Sequence, residues 1–314
     1  MDTSAHKRIL ITGASGLLGA NLLYLFPKQW SLTGLVHNHL LRSSAPEIVF
    51  LPVDITQPDF LRWLRQQGAF DVIMHCAALT SVEACEQDQA QADRLHVEAT
   101  RQLAQFSAEQ NAHFIYISTD HIFGGGEGNY AEDALPEPRN YYAQSKLKGE
   151  QAVLAGGGHS TIIRTNFFGF NFQPKHDIAG WMMEALNKRQ PRTLFTDVFF
   201  SPILVNFLAE AISAVIEKGI YGIINIAGSD GCSKYDFGIK LTKAFNLDNS
   251  VFAPGLVDEA EQLVARPKNM TLNTSRASQV LEYTLPTVDV SIARYKALAD
   301  QGYQASLREA FSAG

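Results

Sequence analysis

The sequence predicts an α/β chain in which helices cover both faces of a parallel sheet, followed by a smaller C-terminal lobe. Three observations carry that expectation. Short β-branched runs alternate with longer helical patterns through the first half, a rhythm that builds a parallel sheet wound on both sides. A glycine-rich turn occupies the junction of the first strand and the first helix. After Gly169 the alternation breaks, and prolines punctuate a mixed region of helix and loop.

In chain order, residues 8–12 (RILIT) read as a buried strand and 17–26 as a helix ended by Pro27. Strands are expected at 32–36 and 48–51, a helix at 60–67, a strand at 71–75 (DVIMH) and a long helical stretch at 90–110. Residues 113–118 (HFIYIS) form the next strand and open into the Gly-rich segment 124–128. A helix over 140–154 is stopped by Gly156, Gly157 and Gly158, with a strand at 160–165 beyond. Past Gly169, 173–177 is polar, 178–187 and 203–216 are helical, and 222–226 (GIINI) is one more buried strand. The expected division is a larger lobe over 1–170, to which 203–227 returns, and a smaller lobe mainly within 171–314.

Composition excludes several classes. The length of 314 residues suggests about two lobes at roughly 150 residues each. With 46% hydrophobic and 18% charged residues, the chain has ample core material and too little charge for disorder. Lys and Arg number 26 against 32 Asp and Glu, a net charge of −6 that argues against a nucleic-acid partner. No apolar run approaches the ~20 residues of a membrane helix. Lys7-Arg8 and the apolar stretch to Phe26 imitate a signal peptide, but Gly13, Gly16 and Gly19 interrupt it and no cleavage site follows. Cys76, Cys85 and Cys232 are odd in number and lack C-x-x-C spacing, which points away from disulfides and thiolate metal sites. His37 and His39 offer two ring nitrogens without further ligands nearby, so no metal is expected. These features suit a reduced, cytoplasmic protein.

The chemistry starts at Thr12–Gly19 (TGASGLLG), where Gly13, Gly16 and Gly19 enclose Ala14, Ser15 and Leu17 at G-x-x-G-x-x-G spacing. Glycine lets the backbone turn tightly and approach a pyrophosphate, whose charge rests at the helix N-terminus. Packing alone can also select glycine at such a turn, but the first βα junction is the place a dinucleotide requires. The fold is therefore expected to be Rossmann-like, with the larger lobe binding dinucleotide and the smaller one binding substrate. Such sites carry an acidic residue about 20 residues on, which takes the ribose 2′-hydroxyl of NAD. No Asp or Glu occurs between Thr3 and Pro46; the second strand ends at His37 and Asn38, with Arg42 close behind. That edge tolerates a 2′-phosphate, so NADP(H) is preferred and NAD(H) admitted.

Tyr142 and Lys146 stand four apart on an expected helix and share a face, whereas Tyr141 points elsewhere. An ammonium about 4 Å from a phenol, at an effective dielectric of ~20, supplies about 4 kcal/mol and would bring the tyrosine pKa near 7. A surface Tyr–Lys pair is equally ordinary on this spacing alone. Upstream, Ser118, Thr119 and Asp120 follow a strand end, where a parallel sheet binds ligands and a hydroxyl can polarise a carbonyl. They also suit a simple turn. The glycine loop, strand-end hydroxyl and Tyr/Lys pair nevertheless occur in the order one site needs.

These residues give a resemblance that runs along nearly the whole chain. TGASGLLG at 12–19, Val53-Asp54, HCAALTSVEACE at 75–86, STDHIFGG at 118–125, YYAQSKLKGE at 141–150, RTNFFG at 164–169, YGIINIAG at 221–228, SKYDFG at 233–238 and Ala265-Arg266-Pro267 are similar to the extended short-chain dehydrogenase/reductases. Within them the chain resembles the dTDP-4-dehydrorhamnose reductase group of sugar-nucleotide reductases. The resemblance implies that Tyr142 donates a proton while NAD(P)H delivers hydride to a keto carbon of a nucleotide-linked 4-keto-6-deoxy sugar. It implies that Lys146 lowers the tyrosine pKa and binds the nicotinamide ribose, and that Thr119 binds the carbonyl oxygen. Asp54 and Ile55 would flank the adenine, and Ala77, Ala78 and Leu79 would pass under the cofactor. Thr80, Asp120 and Asn166 would border the substrate, and Arg266 would face its diphosphate. A homodimer is compatible with the group.

Three positions depart from the pattern: His96 replaces a usual asparagine, Asn206 a frequent aspartate, and His121 a frequent tyrosine. Phe167, Phe168, Phe170 and Phe172 suit packing between lobes better than base stacking. Two other functions stay open. One is an epimerase or dehydratase holding NAD tightly, although Asp120-His121 lacks the Asp-Glu pair a dehydratase uses. The other is a non-catalytic cofactor-binding regulatory subunit like the methionine adenosyltransferase beta subunit, which the family also resembles.

Overall fold

The computed structural model describes residues 6–173, 177–259 and 264–313. The first half comprises β1 (Arg8–Thr12), α1 (Leu17–Leu25), β2 (Ser31–Val36), β3 (Leu41–Ser43), β4 (Ile48–Pro52), α2 (Phe60–Leu64), β5 (Val72–His75), α3 (Val82–Gln87), α4 (Gln89–Asp93), α5 (Ala99–Glu109), β6 (His113–Ile117), α6 (Tyr141–Gly156) and β7 (Ser160–Arg164). The remainder comprises β8 (Phe167–Phe168), α7 (Ile178–Asn187), β9 (Arg192–Phe195), β10 (Phe199–Phe200), β11 (Ile203–Leu204), α8 (Val205–Lys218), β12 (Gly222–Asn225), β13 (Cys232–Ser233), α9 (Lys234–Phe245), β14 (Phe252–Gly255), α10 (Ser275–Leu281), α11 (Val288–Asp300), α12 (Tyr303–Ala310) and β15 (Phe311–Ala313).

Seven strands form the central sheet in the order β12-β7-β6-β5-β1-β2-β4, every pair parallel. Strand order reverses between β1 and β5, which opens a crevice at the carboxyl ends of the strands. The expected Rossmann-like α/β fold is therefore present. The sheet is buried on both faces: Ile9 and Ile11 of β1 join the large core with α1, α8 and α11, while Leu10 joins a second core with α2, α5 and α6. This two-sided burial explains why the strands read as unbroken apolar runs.

Local differences have identifiable causes. The helical stretch expected at 90–110 contains a π-helical turn, Arg94–Glu98, between α4 and α5. Residues 203–204 pair with β8 before α8 begins, so the helix starts two residues later than its apolar pattern suggests. Residues 174–176 of the expected polar segment lie outside the described residues. Phe168 and Phe170 pack against Tyr295 of α11, and Phe168 also against Phe237 of α9, whereas Phe167 lines a cavity. No described helix is long and apolar enough to cross a membrane.

Candidate active site

The three glycines of the first turn do different work. Gly13 has φ of 65°, and a Cβ there would lie 2.7 Å from the backbone nitrogen of Ala77. A Cβ on Gly19 would lie 2.3 Å from the Gly13 oxygen, so both residues let α1 close on the sheet. Gly16 meets only the Gly13 oxygen, at 3.2 Å, and is the N-cap of α1 without any side-chain cap. The first-turn amides of α1 consequently have no partner within the helix, and a pyrophosphate fits that need. Thr12 braces the floor opposite: its Oγ1 accepts from the Cys76 and Ala77 amides at 3.2 and 3.1 Å.

Beyond β2, His37 and Asn38 are exposed, while Arg42 is exposed on β3, which pairs with β15. Asp54, which lies outside the stretch free of carboxylates, approaches this edge from beyond the next strand: His37 Nε2 lies 4.0 Å from Asp54 Oδ2. The cause is register, because Val36 pairs with Pro52 and the residues following both strands converge. Asp54 is itself engaged, accepting from Thr56 N and Oγ1 at 2.9 and 2.7 Å and from Gln57 Nε2 at 2.7 Å. Ile55 beside it is buried.

Asn140 caps α6 by accepting from the Ala143 amide at 2.9 Å, and its Nδ2 donates to the Ala265 oxygen at 3.1 Å. Tyr142 and Lys146 then project one turn apart toward a cavity of about 220 Å³. Thr119, Ala78, Thr80 and Asn166 line the same cavity, as does His121. The Thr119 hydroxyl and the Tyr142 phenol lie on the same cavity wall, and the Thr119 Oγ1 accepts from the His121 amide at 3.2 Å. Thr119 Oγ1 also donates to Asp120 Oδ1 at 3.2 Å, and Asp120 Oδ2 accepts from Asn166 Nδ2 at 2.8 Å. Lys146 Nζ donates to the Ile117 oxygen at 2.7 Å and lies 4.0 Å over the Tyr116 ring. Tyr141 turns away, donating its hydroxyl to Asp93 Oδ2 at 2.8 Å.

The expected electrostatics of the Tyr/Lys pair are reversed. Burial pushes the Tyr142 phenol up to about 12 instead of near 7, with the Thr119 hydroxyl opposing that rise. Burial also brings the Lys146 amine down to about 7, although Glu150 one turn on pulls it up. Helical spacing alone carries no information on the desolvation of either group, and desolvation disfavours both the phenolate and the ammonium. Beneath the pair, Glu150 accepts from Ser118 Oγ at 2.5 Å and from Arg164 Nε and Nη2 at 3.1 and 2.8 Å. The Cys76 thiol on the cavity wall is driven up to about 12 by burial.

A second cavity, of about 360 Å³, shares His121 with the lining of the first. Its walls come from Trp181, Met182, Phe195, Val198 and Met270, with Lys234 and Arg266 as the cationic members. Arg266 Nη2 donates to Glu83 Oε1 at 2.5 Å. Lys234 Nζ lies 3.1 Å over the Phe200 ring, and burial lowers its amine to about 8. Thus the structure unites Thr119, Tyr142, Lys146, Ala78, Thr80 and Asn166 at one cavity and sets Arg266 on the adjoining one. The glycine turn, His37, Asn38, Arg42, Asp54 and Ile55 line neither. His121, Lys234 and Trp181 also line the cavities, although they are not among the site residues expected from the sequence. His121 could have been found as the departure beside Asp120, and Lys234 as the cation within SKYDFG.

Fold and site together define an NAD(P)-dependent oxidoreductase of the short-chain dehydrogenase/reductase architecture. More particularly, the family described as "RmlD substrate binding domain" matches residues 7–299, and the chain belongs to that family. Among its relatives, the Haloferax volcanii protein named "Probable low-salt glycan biosynthesis reductase Agl14" is 27% identical over 292 residues, 91% of this chain and 96% of that protein. The methionine adenosyltransferase 2 subunit beta of Xenopus tropicalis is 28% identical over 297 residues, 88% of this chain and 84% of that protein. Among solved structures, the Bacillus anthracis dTDP-4-dehydrorhamnose reductase in complex with NADP superposes with a TM-score of 0.80 at 25% identity, covering 93% of this chain and 99% of that one.

Proposed function

We propose that the protein is an NADP(H)-preferring reductase of a nucleotide-linked 4-keto-6-deoxy sugar. One observation carries this reading: the Thr119 hydroxyl, Tyr142 phenol and Lys146 amine line a single cavity, whose neighbour presents Arg266. A bound NAD(P)H supplies the hydride. Thr119 donates its hydroxyl to the keto oxygen, and Tyr142 delivers the proton that completes the alcohol. Burial keeps that phenol protonated until called upon, the state a donor needs in the reductive direction. As the phenolate develops, its charge favours the protonated form of Lys146, which then stabilises it. Arg266 and Lys234 face the diphosphate, and the apolar walls around Trp181 and Phe195 receive the nucleoside.

The test is NADPH and NADH oxidation with dTDP-, UDP- and GDP-linked 4-keto sugars; turnover of none of them would remove the reductase assignment. NADPH is expected to bind more tightly than NADH. Calorimetry with NADH tighter by tenfold, about 1.4 kcal/mol, would overturn the preference. The similarity to methionine adenosyltransferase beta subunits supports a second reading, a cofactor-binding regulatory subunit. That reading predicts NADPH binding with no turnover on the whole panel.

A further inference from the structure

His96, the residue that departs from the family's asparagine, occupies the π-helical turn Arg94–Glu98 and is completely buried. Its two ring nitrogens face in different directions. Nε2 accepts the Leu79 amide at 2.9 Å, so in the neutral ring the proton must sit on Nδ1. Nδ1 lies 2.8 Å from Ser145 Oγ, and Ser145 Oγ donates to the Tyr142 carbonyl at 2.9 Å. The polar chain therefore runs in one direction, Nδ1–H to Oγ and Oγ–H to a backbone oxygen, where it ends. It offers no vacant acceptor along which a proton could travel. Burial also holds the ring neutral, with its pKa lowered to about 2.

The two ends of this chain are the two halves of the site. Leu79 belongs to the segment after β5 that packs against Gly13 through Ala77, while Ser145 lies on α6 between Tyr142 and Lys146. Close approach is enforced on the same side: a Cβ on Gly149 of α6 would lie 2.5 Å from the His96 oxygen. We propose that His96 is a positioning residue, a strut joining the cofactor-lining segment 77–79 to the helix of Tyr142 and Lys146, and that it relays no proton. The proposal rests on the dinucleotide-dependent reading of the site.

Three variants test it: His96→Leu, His96→Asn and Ser145→Ala. NADPH affinity is read by fluorescence, and kcat and KM are read on a substrate found in the panel. His96→Leu is expected to weaken NADPH roughly tenfold and to lower kcat by a similar factor, because a buried amide and hydroxyl lose their partners. An asparagine amide can accept from Leu79 and donate to Ser145, so His96→Asn should restore both values to within about threefold. Ser145→Ala cuts only the helix end of the strut. It should lower kcat while leaving NADPH affinity alone, and it serves if His96→Leu does not fold. A folded His96→Leu with wild-type affinity and kcat would overturn the strut. So would a His96→Asn that keeps NADPH affinity but loses kcat with an enlarged solvent deuterium isotope effect, since that pattern marks a broken relay. Wild-type protein that binds no NADPH would instead overturn the dinucleotide reading itself, before any variant is compared.

Discussion

At Tyr142 a phenol kept protonated by burial shares a cavity with an amine whose own proton is lost near pH 7, and both shifts come from burial. Removing the hydroxyl while keeping the ring isolates the chemistry. Tyr142→Phe should lower kcat by about 10²–10⁴-fold, the usual share of general acid catalysis, with NADPH affinity retained. Tyr141→Phe deletes a hydrogen bond to Asp93 outside the cavity, so kcat should hold while stability falls by about 0.5–1.5 kcal/mol. Steady-state rates and denaturant melts separate the two, and wild-type turnover in Tyr142→Phe would discard the proposed donor. The lowered Lys146 pKa has a further consequence. At pH 8 its amine is mostly neutral in the free protein, and an anionic cofactor raises its proton affinity. Binding NADPH at pH 8 should therefore take up protons. Calorimetric enthalpies in buffers of different ionisation heat should reveal this, and Lys146→Met should abolish it; a buffer-independent enthalpy for the wild type would contradict it.

Within elements, the β1–α1 turn divides into glycines that close packing requires and one, Gly16, that the proposed function gives to the cofactor. Gly19→Ala forces a methyl to 2.3 Å from the Gly13 oxygen, and backbone cannot yield as a flexible side chain does. Overpacking of this kind costs about 1–3 kcal/mol, so a lowered melting temperature is expected even without ligand. Gly16→Ala has only one neighbour, at 3.2 Å, and should melt close to wild type but bind NADPH at least roughly tenfold more weakly. Equal loss of stability in both variants would count against this division. The spacing of the glycines was legible in the sequence, as were the apolar runs of β1, β5, β6 and β7, because two-sided burial leaves an unbroken hydrophobic signature. The π-helical turn was not: one extra residue in a helix alters no side-chain type, only which residues face inward. The Tyr142–Lys146 pairing was legible from helical spacing, whereas its pKa values depend on desolvation by segments distant in the chain. Lys234 escaped notice for the same reason, since it reaches the second cavity from α9 through tertiary packing.

Across the whole molecule, His121 lines both cavities, and under the proposed function one ligand would present its reacting carbon to Tyr142 and its anionic end to Arg266. The glycine turn and the Arg266 wall are contributed by opposite ends of the chain, and binding at each can fail separately. Arg266 is the sharper probe, because its partner Glu83 is a partly exposed carboxylate and an exposed pair contributes only about 0–1 kcal/mol. Arg266→Ala should therefore leave the melting temperature nearly unchanged. Loss of a charge-assisted contact to a diphosphate should raise the KM for the nucleotide sugar by about tenfold or more. NADPH affinity should stay within about twofold, since the cation lines the second cavity and not the β1–α1 turn. The Glu83→Gln variant supplies the internal check: it frees the guanidinium without removing it, so its KM should fall or hold while that of Arg266→Ala rises. An unchanged substrate KM in Arg266→Ala would take the residue out of the substrate site, and a parallel loss of NADPH affinity would show that the two ends of the crevice are not separate.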